Sequence, residues 1–138
     1  MKLKIITGIG MLILVVVTAC QSDEQLEFKH YYSGGHVIYE TNCQNCHGAN
    51  GEGLKSLIPP LTDSAYLKTN KAMLPCAVKY GLKGKITVLN RSFEGEMPKS
   101  DLAPIEIAMA LTYITNSFGN KMNTITSQQV EGELGKCK

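Results

Sequence analysis

The densest group of chemically reactive side chains in this sequence lies at Cys43-Gln44-Asn45-Cys46-His47. Two cysteines three positions apart at a helix end face the same side, so both sulfurs can reach one flat ligand. The neighbouring His47 can then turn its imidazole toward a metal at the centre of that ligand. This C-x-x-C-H spacing is typical of covalent haem c attachment, with Cys43 and Cys46 bonded to the porphyrin and His47 bound to the iron.

Two other uses of a C-x-x-C pair are weaker alternatives. A zinc ribbon needs a second closely spaced pair of ligands, and Cys76 and Cys137 stand far apart in the sequence. A thioredoxin-like dithiol would follow a strand at the start of a helix, and no βαβ pattern surrounds Cys43. The motif therefore predicts one haem c.

The predicted elements that must position this motif are mostly helices. Pro104 stands at the favoured first position of the longest one, and Thr126 and Gln129 form a capping-box pattern at the start of the last. We expect a helix over 35–41 that runs into the motif, a loop over 48–53, and a helical turn through 67 capped by Thr62 or Asp63. Further helices are expected over 71–80 and 104–118 and after 126, with a hairpin or wide loop over 86–93 that turns at Leu89-Asn90-Arg91. The fold class is thus all-α.

From about residue 34 to residue 118, the sequence resembles the monohaem class I c-type cytochromes. The resemblance rests on the attachment motif, on a closing helix over 107–118, and on His47-Gly48-x-x-Gly51-x-Gly53, Pro59-x-Leu61 and Glu96-Met97-Pro98. It implies a small cytochrome c-like helical fold wrapped around one covalent haem with an exposed edge. It also implies that His47 and Met97 are the axial iron ligands and that the Pro59 carbonyl accepts a hydrogen bond from His47.

Met97 also suits this role chemically. A thioether is a soft, neutral ligand that favours ferrous iron and raises the reduction potential. Pro98 follows it directly and stiffens its loop. The alternative methionines beyond residue 20 lack such a loop: Met73, Met109 and Met122. The alternative histidines, which would give an iron with two histidine ligands, are His30 and His36.

The first twenty residues have the pattern of a bacterial secretory signal. Two lysines precede a short uncharged apolar run, which ends in Val17-Thr18-Ala19-Cys20 and resembles a lipoprotein lipobox. We predict a signal peptide over 1–19, lipidation of Cys20, and a polar tether over 20–33 before a domain over 34–138. The expected location is the periplasmic side or the outer membrane of a bacterium, with the lipid as anchor. Ordinary cleavage after Ala19 is the alternative.

Two of the five cysteines then remain, Cys76 and Cys137. In an exported protein two leftover cysteines most simply pair. The disulfide would tie the C-terminus to the helix over 71–80 and close a loop of about sixty residues. Two free buried thiols are the alternative.

The charge balance limits the partners. The 138 residues suit one domain, and 14 Lys+Arg against 12 Asp+Glu is too even a balance for nucleic-acid binding. Without residues 1–19 the chain is neutral, yet residues 64–93 carry +6 between flanks of −4 and −2. We call these six cations the basic segment and predict that they dock an acidic redox partner, with a merely solvated face as the alternative: Lys68, Lys71, Lys79, Lys83, Lys85 and Arg91.

These features predict a one-electron carrier in a respiratory or other extracytoplasmic redox chain. An iron with both axial positions filled offers no open position for oxygen or peroxide chemistry, so we do not expect an enzyme. The alternative is a haem-based ligand-binding sensor or a peroxidase-type subunit in which Met97 is displaceable.

Overall fold

The computed structural model describes residues 23–137, so the predicted signal peptide and Cys20 lie outside the described residues. The helices are α1 (Asp23–Asn42), α2 (Gln44–His47), α3 (Ser64–Thr69), α4 (Leu74–Tyr80), α5 (Pro104–Ile114) and α6 (Ser127–Leu134), with a 3-10 turn (Lys71–Met73) before α4. Two short strands, β1 (Ile86–Val88) and β2 (Arg91–Phe93), form an antiparallel hairpin in which Ile86 faces Phe93. This mostly helical architecture confirms the predicted fold class.

Helix α1 differs most from the sequence prediction. We expected a tether over 20–33 and a helix from Gly35, whereas one helix runs from Asp23 to Asn42. Its first turns are polar and exposed, but Tyr31 is buried against Ile107 of α5 and Val130 of α6. A polar segment without apolar periodicity gives no helical signal, and its helix is stabilised by packing that only the tertiary structure supplies.

The glycines that we took as the domain boundary mark the crossing of α1 and α5. A Cβ atom on Gly35 would collide with the main-chain oxygen of Met109 and would lie 2.8 Å from Cβ of Tyr113. The missing side chain lets the two backbones approach closely. Residues on both sides of Gly35 therefore belong to one packed helix.

Helix α5 is buried around most of its circumference. The residues of its predicted apolar face are buried from Ile107 to Ile114. The polar residues Thr112 and Thr115 are buried as well. The Thr112 hydroxyl donates to the Ile125 carbonyl at 3.2 Å and accepts from the Ile125 N–H at 3.0 Å, which satisfies it inside the core. The helix ends at Ile114, four residues before the predicted end at Phe118.

Capping residues fix the smaller elements. The predicted capping box of α6 is confirmed, since the Thr126 hydroxyl accepts from the Gln129 N–H at 3.3 Å. Asp63 caps α3, and its second oxygen accepts from the Leu89 N–H at 2.9 Å in the hairpin turn. That turn consists of Leu89 and Asn90, and Arg91 belongs to β2 rather than to the turn.

Within residues 23–137, no helix combines the length and the apolar character needed to cross a membrane.

Candidate metal centre

The attachment motif forms a tight helical turn at the end of α1. The N–H groups of Cys46 and His47 both donate to the Cys43 carbonyl, at 3.1 and 2.9 Å. Cys43 is partly buried and Cys46 is exposed. The hydroxyl of Tyr39, which is almost fully buried in α1, donates to the Gly48 carbonyl at 2.6 Å. The core thereby fixes the turn from which His47 projects.

His47 is oriented by the loop that follows it. Its Nδ1 donates to the Pro59 carbonyl at 3.2 Å. The loop folds back onto the motif, since the Gly53 N–H donates to the His47 carbonyl at 2.7 Å. Burial lowers the pKa of His47, and the hydrogen bond to Pro59 opposes this shift only in part. A neutral imidazole that donates through Nδ1 keeps the Nε2 lone pair for a metal.

Met97 reaches the site from a segment without helix or strand, residues 94–103, which we call the Met97 segment. Its N–H donates to the Leu82 carbonyl at 2.9 Å, and the Leu82 N–H donates to the Met97 carbonyl at 3.0 Å. These two bonds attach Met97 to the chain just after α4.

The tertiary structure brings the predicted site residues together although fifty positions separate His47 from Met97. Both side chains line the same three adjoining cavities, of which two are also lined by Cys43 and two by Cys46. The most apolar of these cavities has walls from α3, α4, β1 and α5, including Leu67, Val78, Ile86, Leu111 and Ile114. None of these wall residues was predicted to belong to the site, although their apolar character in predicted helices and a predicted strand was the available signal.

The donor set fits a haem and does not fit the alternatives. One imidazole and one thioether line an apolar cavity together with Cys43, and Cys46 lines the two adjoining cavities, a donor set that fits covalent haem c. Cys76 forms a disulfide with Cys137, at a Cα–Cα distance of 5.8 Å, which removes both from any zinc site. Among residues 23–137, no group of three or more His, Cys, Asp and Glu side chains could hold a metal ion.

The thiol chemistry also disfavours a reactive dithiol. Burial, and secondarily the charge of Cys46, raises the pKa of the Cys43 thiol to about 11. A redox-active C-x-x-C pair has a lowered thiol pKa instead. Cys43 is therefore a protonated thiol in this environment and not an activated nucleophile.

None of the alternative iron ligands lines the cavities that His47 and Met97 share. His36 and His30 are exposed on α1, and Nε2 of His36 lies 3.6 Å from Oε1 of Glu40. Met73 is 58% exposed, and the other two methionines pack against the protein core: Met109 and Met122.

The basic segment is partly compensated by acidic residues of the Met97 segment. Three lysines have partners in the described part of the chain: Lys83 with Glu96 at 2.8 Å, Lys85 with Glu94 at 4.0 Å, and Lys79 with the Leu102 carbonyl at 2.8 Å. Both ion pairs are well exposed to solvent. The net positive charge around Met97 is consequently lower than the six cations of the basic segment alone would give.

The chain has relatives among known proteins. The sequence matches the family described as Cytochrome c over residues 33–131. It is 31% identical over 91 residues to a cytochrome c-552 of Thermus thermophilus, covering 62% of this chain and 69% of that protein. A second cytochrome c-552, from a strain of the same species, is also 31% identical over 91 residues, and the chain spans 61% of its length.

Proposed function

The chain belongs to the cytochrome c family, whose members bind haem c covalently, and from that premise we propose that it is a one-electron carrier of an extracytoplasmic redox chain, such as a respiratory chain. The proposal rests on two adjoining cavities that His47 and Met97 both line: an apolar one shared with Cys43, and a second one shared with Cys43 and Cys46.

We assign the roles of the site residues as follows. Cys43 and Cys46 would hold the haem by thioether bonds, and His47 and Met97 would bind its iron from opposite sides. When bound, the haem supplies a one-electron couple between ferric and ferrous iron. The Pro59 carbonyl accepts from Nδ1 of His47, which fixes the ring orientation and increases its strength as a ligand.

The cavity walls tune the site toward electron transfer. The aliphatic side chains of α4 and α5 exclude water and lower the local dielectric constant. A low dielectric disfavours the more highly charged ferric state, and the Met97 thioether acts in the same direction. His47 and Met97 would together leave the iron no open position for oxygen or peroxide, so this proposal includes no catalysis of their reactions.

A visible spectrum tests the ligand set. The ferric protein should show the weak long-wavelength Met-to-iron charge-transfer band, and Met97→Ala should abolish it. Met73→Ala is the matched control, because Met73 is mostly exposed and lies outside the cavity. A high-spin ferric spectrum with ready carbon monoxide binding after reduction would favour a ligand-binding haem protein, and a colourless protein would contradict the proposal altogether.

We further propose that redox partners dock beside the exposed Cys46, with a contribution from the basic segment. Because Glu94 and Glu96 compensate two of its lysines, we expect this steering to be moderate. In the double variant Lys83→Glu with Lys85→Glu, oxidation by the anionic probe hexacyanoferrate(III) should slow several-fold at low ionic strength, and less at high salt. Lys121→Glu, an exposed change outside the segment, is the control, and equal rates in all three proteins would contradict this docking surface.

We also propose that lipid on Cys20 anchors the protein at the periplasmic side or the outer membrane of a bacterium. The support is the lipobox pattern in the sequence. Since Asp23 already lies in α1, the helical domain would begin close to the anchor. Mass analysis of the N-terminal peptide should show acyl chains on Cys20, and Cys20→Ser should release the protein from membranes. An unmodified N-terminus would contradict the anchor.

A further inference from the structure

We propose that Ser100 is a positioning residue for Met97, because its hydroxyl holds the Met97 segment against the C-terminal end of α4. The inference rests on the proposed axial role of Met97 and adds a residue to which the sequence patterns gave no role.

The contact uses carbonyl groups that a helix leaves free. The last four carbonyls of an α-helix have no partner within the helix. At the end of α4, the Ser100 hydroxyl donates to the Val78 carbonyl at 2.9 Å, and the Ser100 N–H donates to the Lys79 carbonyl at 3.3 Å. Ser100 therefore caps α4 from outside the helix.

Two further contacts lie on either side of Ser100. Toward the N-terminus, Met97 forms its pair of main-chain bonds with Leu82. Toward the C-terminus, Nζ of Lys79 donates to the Leu102 carbonyl at 2.8 Å. Residues 94–103 contain no helix or strand, so Met97 is positioned by these bonds to α4 and Leu82 together with the exposed ion pairs of Glu94 and Glu96.

Gly81 makes this close approach possible. A Cβ atom there would collide with the Met97 carbonyl and lie 3.0 Å from the Lys99 nitrogen. The Met97 segment thus lies directly against the turn that ends α4. Val78, whose carbonyl accepts from Ser100, also lines the apolar cavity. The Ser100 hydroxyl consequently links a cavity wall to the segment that carries the ligand.

Competition by imidazole in the haem-loaded ferric protein tests this role. Imidazole that replaces Met97 on the iron abolishes the charge-transfer band. The imidazole concentration at which the band disappears therefore measures how easily Met97 is displaced. Ser100→Ala removes one neutral hydrogen bond and should raise the apparent imidazole affinity about fivefold. Ser100→Thr keeps the hydroxyl and should return the affinity toward that of the unmodified protein.

Ser117→Ala is the matched control. It removes one partly buried side-chain bond of 3.0 Å, to the Tyr32 hydroxyl, at a site away from the Met97 segment. Its imidazole affinity should equal that of the unmodified protein. If Ser100→Ala does not raise the affinity, or if Ser117→Ala raises it equally, the positioning role is wrong while the proposed ligand set stands. Absence of the band in the unmodified protein would overturn the ligand set and this inference together.

Discussion

The two sides of the haem site are built in different ways. On the His47 side, the ligand, both cysteines and the Pro59 carbonyl come from seventeen consecutive residues, 43–59, held by local turns. On the Met97 side, the proposed ligand lies in a segment without regular structure. That segment is attached to α4 and Leu82 by bonds between residues 15 to 23 positions apart. Local contacts cost little chain entropy to form, whereas distant ones need the surrounding fold.

This difference predicts that the Met97 side is the first to open. Local opening begins where few contacts must break, and the Met97 segment has no helix or strand of its own. The His47 side shares its turn with α1, which is packed along α5. Perturbations of α4 should therefore weaken the proposed bond between Met97 and the iron, while the proposed bond between His47 and the iron remains.

The largest effect is expected from removing the disulfide that ties α4 to the C-terminus. Cys76→Ser combined with Cys137→Ser opens a loop of 61 residues and should lower the free energy of unfolding by about 4 kcal/mol. During guanidinium denaturation, the charge-transfer band should disappear before the helical circular dichroism. The unmodified ferric protein, with its disulfide intact, is the reference and should keep the band to a higher guanidinium concentration. Simultaneous loss of both signals in the double variant would contradict the comparison.

A smaller effect is expected from Gly81→Ala. Gly81 has φ +82° and ψ 177°, a region that costs other residues about 1–3 kcal/mol, and its new Cβ would push against the Met97 carbonyl. The charge-transfer band should weaken strongly. Gly84→Ala is the matched control, since its φ is also positive but a Cβ there meets no atom within 4 Å. It should lose stability and retain the band; a band that persists in Gly81→Ala would show that Met97 does not depend on this contact.

Asp63 connects α3 to the hairpin whose Ile86 lines the cavity on the Met97 side. Hydrogen bonds from the N–H groups of Leu89, Tyr66 and Ala65 lower the pKa of Asp63. Asp63→Asn should cost about 1 kcal/mol of unfolding free energy at pH 7. Because the folded pKa lies below the unfolded value, the carboxylate stabilises the fold at neutral pH and loses this effect as the pH falls through the folded pKa.

Urea denaturation of Asp63→Asn at pH 7 and at pH 3 measures this effect. The difference in unfolding free energy between Asp63→Asn and the unmodified protein should be smaller at pH 3 than at pH 7. The control variant Asp101→Asn, at an exposed position, should differ little from the unmodified protein at either pH. A difference that grows on acidification would contradict the assignment.

The smallest effect is expected on the His47 side, from Pro59→Ala. His47 donates to the main-chain carbonyl of residue 59, which alanine also provides. Stability should change by less than about 1 kcal/mol, through the unfolded chain, and the Nδ1 proton of His47 should keep its resonance in the reduced protein. Pro98→Ala is the matched variant on the Met97 side and should weaken the charge-transfer band. If the two proline variants weaken the band equally, the proposed difference between the two sides of the site is wrong.

The sequence by itself determined what short-range chemistry controls. The attachment motif, the capping box at Thr126 and the start of α5 at Pro104 depend on residues only a few positions apart, and all were predictable. The pairing of Met97 with His47 was implied by resemblance to a family and supported by the thioether chemistry and the Met97-Pro98 loop. The pairing of Cys76 with Cys137 was inferred by elimination.

Only the tertiary structure decided the features that depend on distant contacts. Helix α1 extends to Asp23 because Tyr31 packs against α5 and α6, and no pattern in that polar segment indicates it. The compensation of the basic segment by Glu94 and Glu96 and the bond from Ser100 to Val78 likewise depend on how the chain folds back. Residue types and spacing specify which groups can bind a haem. Only the folded chain places the helix-end carbonyls of Val78 and Lys79 beside the segment that carries Met97, the proposed second ligand.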